Sequence, residues 1–137
     1  METCTSLPFG DSLTCSYKDG MPGYVDRVSD GAWEETIVYS FQFGRSGNQP
    51  YAGVVMDKSG NLYGTTDAGG GPNGCGVIYK LAPAGNDKWK YSVLHRFGRV
   101  GDGCIPAGNL AIDQKGNLYG GTVLGGIGDG VVFELTP

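Results

Sequence analysis

Hydrophobic and polar residues along this chain alternate over short stretches and never settle into the three-to-four spacing of an amphipathic helix. Trp33–Phe41 and Trp89–Phe97 are rich in aromatic and β-branched residues and read as long strands. Each is followed by a short, near-continuous apolar run, Ala52–Met56 and Ala107–Ile112, whose small residues predict a strand buried on both faces. The runs Asp57-Lys58-Ser59-Gly60-Asn61 and Asp113-Gln114-Lys115-Gly116-Asn117 then supply turn chemistry, because aspartate hydrogen-bonds its own turn backbone and Gly-Asn accepts positive φ. Leu62–Thr66 returns as the second strand of that hairpin, and Gly76–Leu81 alternates as a third, closed by Ala82-Pro83. We denote these runs a (Ala52–Met56), b (Leu62–Thr66), c (Gly76–Leu81) and d (Trp89–Phe97).

The same order is written twice. Trp33/Trp89, Phe41/Phe97, Pro50/Pro106, Asp57/Asp113 and Gly60-Asn61-Leu62-Tyr63-Gly64 against Gly116-Asn117-Leu118-Tyr119-Gly120 all keep one offset, 89 − 33 = 56. Two residues drop out after the glycine pairs Gly69-Gly70 and Gly125-Gly126, and Gly76–Leu81 then aligns with Gly130–Leu135. A repeat of this length is a supersecondary unit that buries its faces only against neighbours, which divides the chain into residues 33–88, residues 89–137 and an N-terminal extension or degenerate half-blade, 1–32. Four antiparallel strands per repeat, the innermost small and apolar, predict an all-β fold of β-propeller blades. A β-sandwich accommodates the same strand count but gives no reason for both sheets to share one turn, one Trp and one terminal Pro.

Strand arithmetic extends the expectation to assembly. From Trp33 the order is d-a-b-c-d-a-b-c, leaving a lone d at one end and a blade without d at the other. Donation of Trp33–Phe41 to Gly130–Leu135 of a neighbouring copy is a heterologous contact, so the ring is expected to close by oligomerisation. A cyclic trimer is favoured, since three two-blade chains fall inside the range of about four to eight blades. Gly23–Val28 is then expected outside the blade, its place being filled by the C-terminal strand c.

Composition narrows the function class. Glycine takes 26 of 137 positions without a Gly-X-Y period, and hydrophobic residues still make up 39 %, so collagen and disorder are poor readings. A net charge of −4 and a pI near 4.7 argue against nucleic acid and anionic lipid. No apolar run reaches membrane-spanning length, and Glu2-Thr3-Cys4-Thr5 lacks the basic start and apolar stretch of a signal peptide. Four cysteines in a small glycine-rich chain point to disulfides and an oxidising compartment. Cys75 in a b–c loop and Cys104 in a d–a loop emerge on one face of a propeller and are expected to pair, with Cys4 joined to Cys15. Zinc lacks its ligand set, having no Cys-x-x-Cys and one distant His95, and neither metal nor cofactor is expected.

The run Gly-Asn-Leu-Tyr-Gly-Thr-Thr, followed by Gly-Gly, then Gly-Val-Val-Phe-Glu-Leu-Thr-Pro and a Trp-led strand ending in Tyr-Ser-Phe, resembles the GloVer repeat. This tandem-repeat family is named after Gloeobacter and Verrucomicrobia. The resemblance covers Trp33–Pro137 and implies a propeller-like module of secreted or surface-anchored bacterial proteins; it does not imply a defined catalytic site.

Candidate chemistry is sparse. The Asp57 and Asp113 turns offer too few side-chain carboxylates for calcium and read as structural. Tyr63, Tyr119, Trp33 and Trp89 fall at regular strand positions and read as packing before sugar stacking. A secreted glycan-binding or scaffolding module is the leading reading, with Tyr51, Asp67 and Arg45 as ligand-binding residues. The alternative is a glycoside hydrolase with its site on the loop face or a subunit boundary, carried by Asp67, Asp102 and His95; Asp129 and Glu34/Glu35 are further carboxylates at strand ends. Asp67 draws interest because its counterpart is Val123, so a site there breaks the repeat's symmetry.

Overall fold

The computed structural model describes the backbone of residues 3–6, 12–16 and 22–26 and the whole of residues 35–42 and 44–137. It divides into two units, Met1–Ile37 and Val38–Pro137. In the first, β1 (Thr3–Ser6), β2 (Ser12–Ser16) and β3 (Pro22–Asp26) form an antiparallel meander in the order β1-β2-β3. Pro22–Asp26 pairs with Ser12–Ser16 and, among the described residues, belongs to neither sheet of the two repeats. Cys4 and Cys15 are register partners on β1 and β2, while the link between their side chains lies outside the described residues.

The second unit holds two antiparallel sheets. The first is β4 (Val55–Met56), β5 (Leu62–Thr66), β6 (Val77–Pro83) and β7 (Trp89–Arg96), in that order. The second orders as β10 (Val132–Leu135), β9 (Leu118–Gly125) and β8 (Gly103–Ile112). Strands a to d as denoted above thus appear as β4–β7, and the second copies of a to c as β8–β10. The described residues contain strands and no helix, as the alternation predicts.

Two strands depart from expectation. Strand a of the first repeat shrinks to Val55–Met56, paired with Tyr63 and Leu62, while its counterpart β8 runs from Gly103 with a bulge between Ala107 and Ala111. More tellingly, Glu35–Phe41 is not a strand, and Trp33 and Glu34 lie outside the described residues. A strand needs a hydrogen-bonding neighbour, and none pairs with this segment among the described residues. Its aromatic end is held by side chains instead: Tyr39 stacks on Tyr91 at 4.2 Å, and Phe41 meets Tyr79 edge-on at 5.1 Å.

The repeated residues have repeated jobs. Asp57 Oδ1 accepts the N–H groups of Ser59 (2.8 Å) and Asn61 (2.9 Å), and Oδ2 accepts Asn61 Nδ2 (2.7 Å) and the Tyr63 hydroxyl (2.9 Å). Asp113 does the same with Lys115, Asn117 and Tyr119. Gly64 and Gly120 are glycines because the rings of Tyr79 and Phe133 occupy the space a Cβ would take. Thr66 and Thr122 each accept a bond from the first residue after the glycine loop, Val77 N–H (3.2 Å) and Val131 N–H (3.1 Å).

Between the sheets lies a core of Ile78, Phe97, Leu110 and Leu118, each at most 6 % exposed. The inner strands converge: Gly53 N–H donates to Asn109 Oδ1 at 2.8 Å, although the two residues are repeat counterparts. The two a–b turns accordingly flank one cleft of about 360 Å³ lined by Met56, Asp57, Ile112 and Asp113.

Candidate functional site

Two loop clusters carry the chemistry. In the first, the loop entering the first sheet is hydrogen-bonded along the b–c loop. Asn48 N–H reaches the Ala68 carbonyl at 2.9 Å, Ala68 N–H returns to Asn48 at 3.3 Å, and Gly70 N–H reaches Gly44 at 2.9 Å. Gln49, at φ 62°, presents one carbonyl to two donors, Asp67 N–H at 3.1 Å and Tyr51 N–H at 3.0 Å. The backbones of Asp67 and Tyr51 therefore converge on a single oxygen. Tyr51 is 76 % exposed, Arg45 is exposed on the same loop, and Asp67 is half-buried. The expected ligand-binding trio is thus gathered on one loop platform.

The second cluster sits where the sheets join. The Cys75–Cys104 disulfide expected from the loop positions is present, with a Cα–Cα distance of 4.6 Å. Ile105 N–H donates to the Cys75 carbonyl beside it at 3.0 Å. Next to this staple, His95 Nε2 lies 3.0 Å from Asp102 Oδ2, and Asp102 Oδ1 accepts the Gly103 N–H at 2.9 Å. The His95 ring meets Phe97 edge-on at 4.7 Å. Of the three residues expected to carry a hydrolase site, the fold joins His95 to Asp102 and leaves Asp67 on the other platform.

A cleft of about 150 Å³ opens at this pair, and Glu134 lines it too. Glu134 was not anticipated. Its signal in the sequence was a charge reversal, since its repeat counterpart is Lys80. In this cleft Asp102 is bonded to His95 and Gly103, and Glu134 Oε1 accepts the Tyr119 hydroxyl at 3.0 Å. No hydroxyl or thiol nucleophile hydrogen-bonds the His95 ring among the described residues.

The turn carboxylates are structural. Hydrogen bonding by Asn61, opposed by partial desolvation and reinforced by Tyr63 and Ser59, holds Asp57 down at about 2. At Asp113 desolvation pushes upward, but donation from Asn117 and Lys115 outweighs it and the carboxyl is lowered as well. Carboxylates this fully occupied by donors have no lone pairs to spare for calcium, and no group of metal-ligating side chains occurs among the described residues. Tyr63 and Tyr119 are bound into the turns through their hydroxyls, and Trp89 packs against Val77, Tyr79 and Leu81. Asp129 lies in the turn before β10, bridged to Gly125.

Comparison with known proteins gives one result. The sequence profile described as the Gloeobacter/Verrucomicrobia repeat matches residues 13–137, beginning ahead of the Trp33 start set by the internal repeat. No curated protein and no solved structure matches the chain.

Proposed function

This chain belongs to the Gloeobacter/Verrucomicrobia repeat family, and from that premise we propose that it is a secreted, propeller-type repeat module that binds glycans on its loop face. The observation that carries the reading is the convergence of Tyr51 and Asp67 on the Gln49 carbonyl. It ties the backbone of an exposed tyrosine and that of an aspartate to one oxygen, with Arg45 on the same loop. Rings that stack on sugar faces and charged groups that bond hydroxyls are the pair of contacts a polysaccharide requires. The Cys75–Cys104 disulfide supports an oxidising, extracellular setting. Binding is favoured over hydrolysis because Tyr51 stands 76 % exposed on its platform, whereas the carboxylates of the His95 cleft are held by His95, Gly103 and Tyr119.

Titration on a glycan array at millimolar sensitivity tests this. Tyr51→Ala and Asp67→Asn should each weaken the retained glycan at least about tenfold, while Asp102→Asn should leave it unchanged. A blank array removes the reading, and turnover of a chromogenic glycoside lost on Asp102→Asn would install the hydrolase in its place.

A further inference from the structure

The joint between the two sheets is built from parts that recur, unpaired, at the molecule's other faces. At the joint, Ile78 of β6 packs with Phe97, Leu110 and Leu118. Applying the repeat offsets, the counterpart of Ile78 is Val132, and those of Phe97, Leu110 and Leu118 are Phe41, Val54 and Leu62. Ile78 is 1 % exposed and Leu110 4 %, whereas Val132 is 90 % exposed and Val54 50 %. Phe41 and Leu62 are half-buried against the cluster of Val77, Tyr79 and Leu81, so it is Val132 on one side and Val54 on the other that repeat the internal interface in the open.

Backbone geometry is duplicated as well. Ile105 holds φ 59° and gives its N–H to the Cys75 carbonyl; its counterpart Gln49 holds φ 62°. Cys104 bridges to Leu124 as Asn48 bridges to Ala68, and Cys75 bridges to Gly69 as Asp129 bridges to Gly125. Asn48 and Asp129 thus occupy the positions of the two disulfide cysteines, and Gln49 repeats the donor residue beside them. Finally, β6 has its outer edge filled by β7, while the outer edge of β10 pairs with nothing among the described residues.

We infer that the β10 face and edge form a head-to-tail docking surface for a second copy of this chain, which presents its own first sheet and the segment preceding it. This does not rest on the glycan reading. The register follows from β6 and β7, where Ile78 faces His95, Tyr79 faces Val93 and Leu81 faces Tyr91. Transferred by the offsets, Val132 faces Tyr39, Phe133 faces Ile37 and Leu135 faces Glu35 of the incoming copy. The incoming Phe41 need not leave its own sheet. At the internal joint Phe97, just beyond β7, already packs on the following sheet, 5.2 Å from Phe133, as Phe41 packs on Tyr79. Strand addition at an open edge supplies main-chain bonds, and the apolar face sets the partner. Because acceptor and donor surfaces differ, the contact is heterologous and builds a ring or a filament according to its rotation. Ring size follows from the mass of the assembly, for which the two repeats of each copy favour a trimer.

The test uses the full chain. Light scattering across concentration should show assembly beyond the monomer, and Val132→Lys, a change at a nearly fully exposed side chain, should abolish it while circular dichroism and the Cys75–Cys104 bond stay intact. Independently, the double variant Asn48→Cys with Asp129→Cys should form interchain disulfides on mild oxidation, mapped by mass spectrometry as 48-to-129 links. A chain that remains monomeric with no interchain link, a 48-to-129 link within one chain, or links of the 48-to-48 or 129-to-129 kind would each overturn the proposal.

Discussion

The two sheets of the second unit are close copies in sequence and opposites in burial. On β6, Val77, Ile78, Tyr79 and Leu81 are all buried; on β10, Phe133 and Leu135 are only half-buried, as is Val131 just before it, and Val132 stands in solvent. The residue types hardly differ. What differs is company: β6 has β7 on its edge and the second sheet over Ile78, whereas among the described residues β10 has no strand on that edge and no following sheet over Val132. Burial is thus a property of the position in the array, as expected of repeats that cannot cover themselves. Any energetic contrast between equivalent residues should follow the neighbours and not the side chain.

The strongest way to break the comparison is to cut the staple that makes one sheet the neighbour of the other. The Cys75–Cys104 bond closes a loop with a sequence separation of 29 and is expected to stabilise by about 3–4 kcal/mol on the chain-entropy model. In a Cys75→Ser/Cys104→Ser variant, denaturant unfolding should report a loss of that size, and hydrogen exchange should rise more in β8–β10 than in β5–β7. Uniform acceleration across both sheets would mean that the staple does not define the joint.

Truncating equivalent side chains sharpens it next. Ile78→Ala empties a packed core and should cost about 2–5 kcal/mol. Val132→Ala, measured at concentrations too low for assembly, should fall within about 0.5 kcal/mol of the parent. Equal costs would show that β10 is covered in solution even in the monomer.

How far the sequence foretold this arrangement depends on how local each feature is. The Asp-x-x-Gly-Asn turns, strand b and the repeat itself are set by residues within a few positions of one another, and all appear where read. The disulfide was legible because its two loops are fixed by strand order alone. Trp33–Phe41 was read as a strand from its β-branched and aromatic content, yet Glu35–Phe41 is irregular, because strand formation requires an edge that composition does not encode. His95 and Asp102 were named without being paired. Their contact depends on the course of the loop after β7, which Cys104, two positions beyond Asp102, ties back to Cys75. Glu134 escaped notice because its cleft exists only where the two sheets meet.

A smaller contrast lies inside strand b. Thr65 is 1 % exposed and its hydroxyl oxygen is without a hydrogen-bond partner among the described residues, whereas its counterpart Gly121 has no side chain to satisfy. An unpaired buried hydroxyl costs about 1–3 kcal/mol, and valine has nearly the same shape. Thr65→Val should therefore stabilise the chain by about 1 kcal/mol in denaturant unfolding. A destabilised variant would mean that the hydroxyl has found a water partner.

The finest contrast is between the two turn aspartates. Asp57 keeps the Tyr63 hydroxyl at 2.9 Å for itself, while Asp113 shares Tyr119, at 3.2 Å, with Glu134. Both carboxyls are lowered, Asp57 to about 2, so both favour the folded state most when ionised. The sign follows from linkage: stability from a depressed carboxylate is complete above its unfolded value near 3.8 and is lost as pH falls through the folded one. A carboxylate with a weaker, divided donor should protonate first, so acidification should loosen the second turn before the first. Carboxyl-carbon NMR titration should place the Asp57 midpoint near 2 and that of Asp113 above it. Glu134→Gln removes the competing carboxylate and should draw the Tyr119 hydroxyl toward Asp113, bringing the two midpoints closer together. If Asp113 titrates below Asp57, or if Glu134→Gln leaves their separation unchanged, the shared hydroxyl is not what distinguishes the turns.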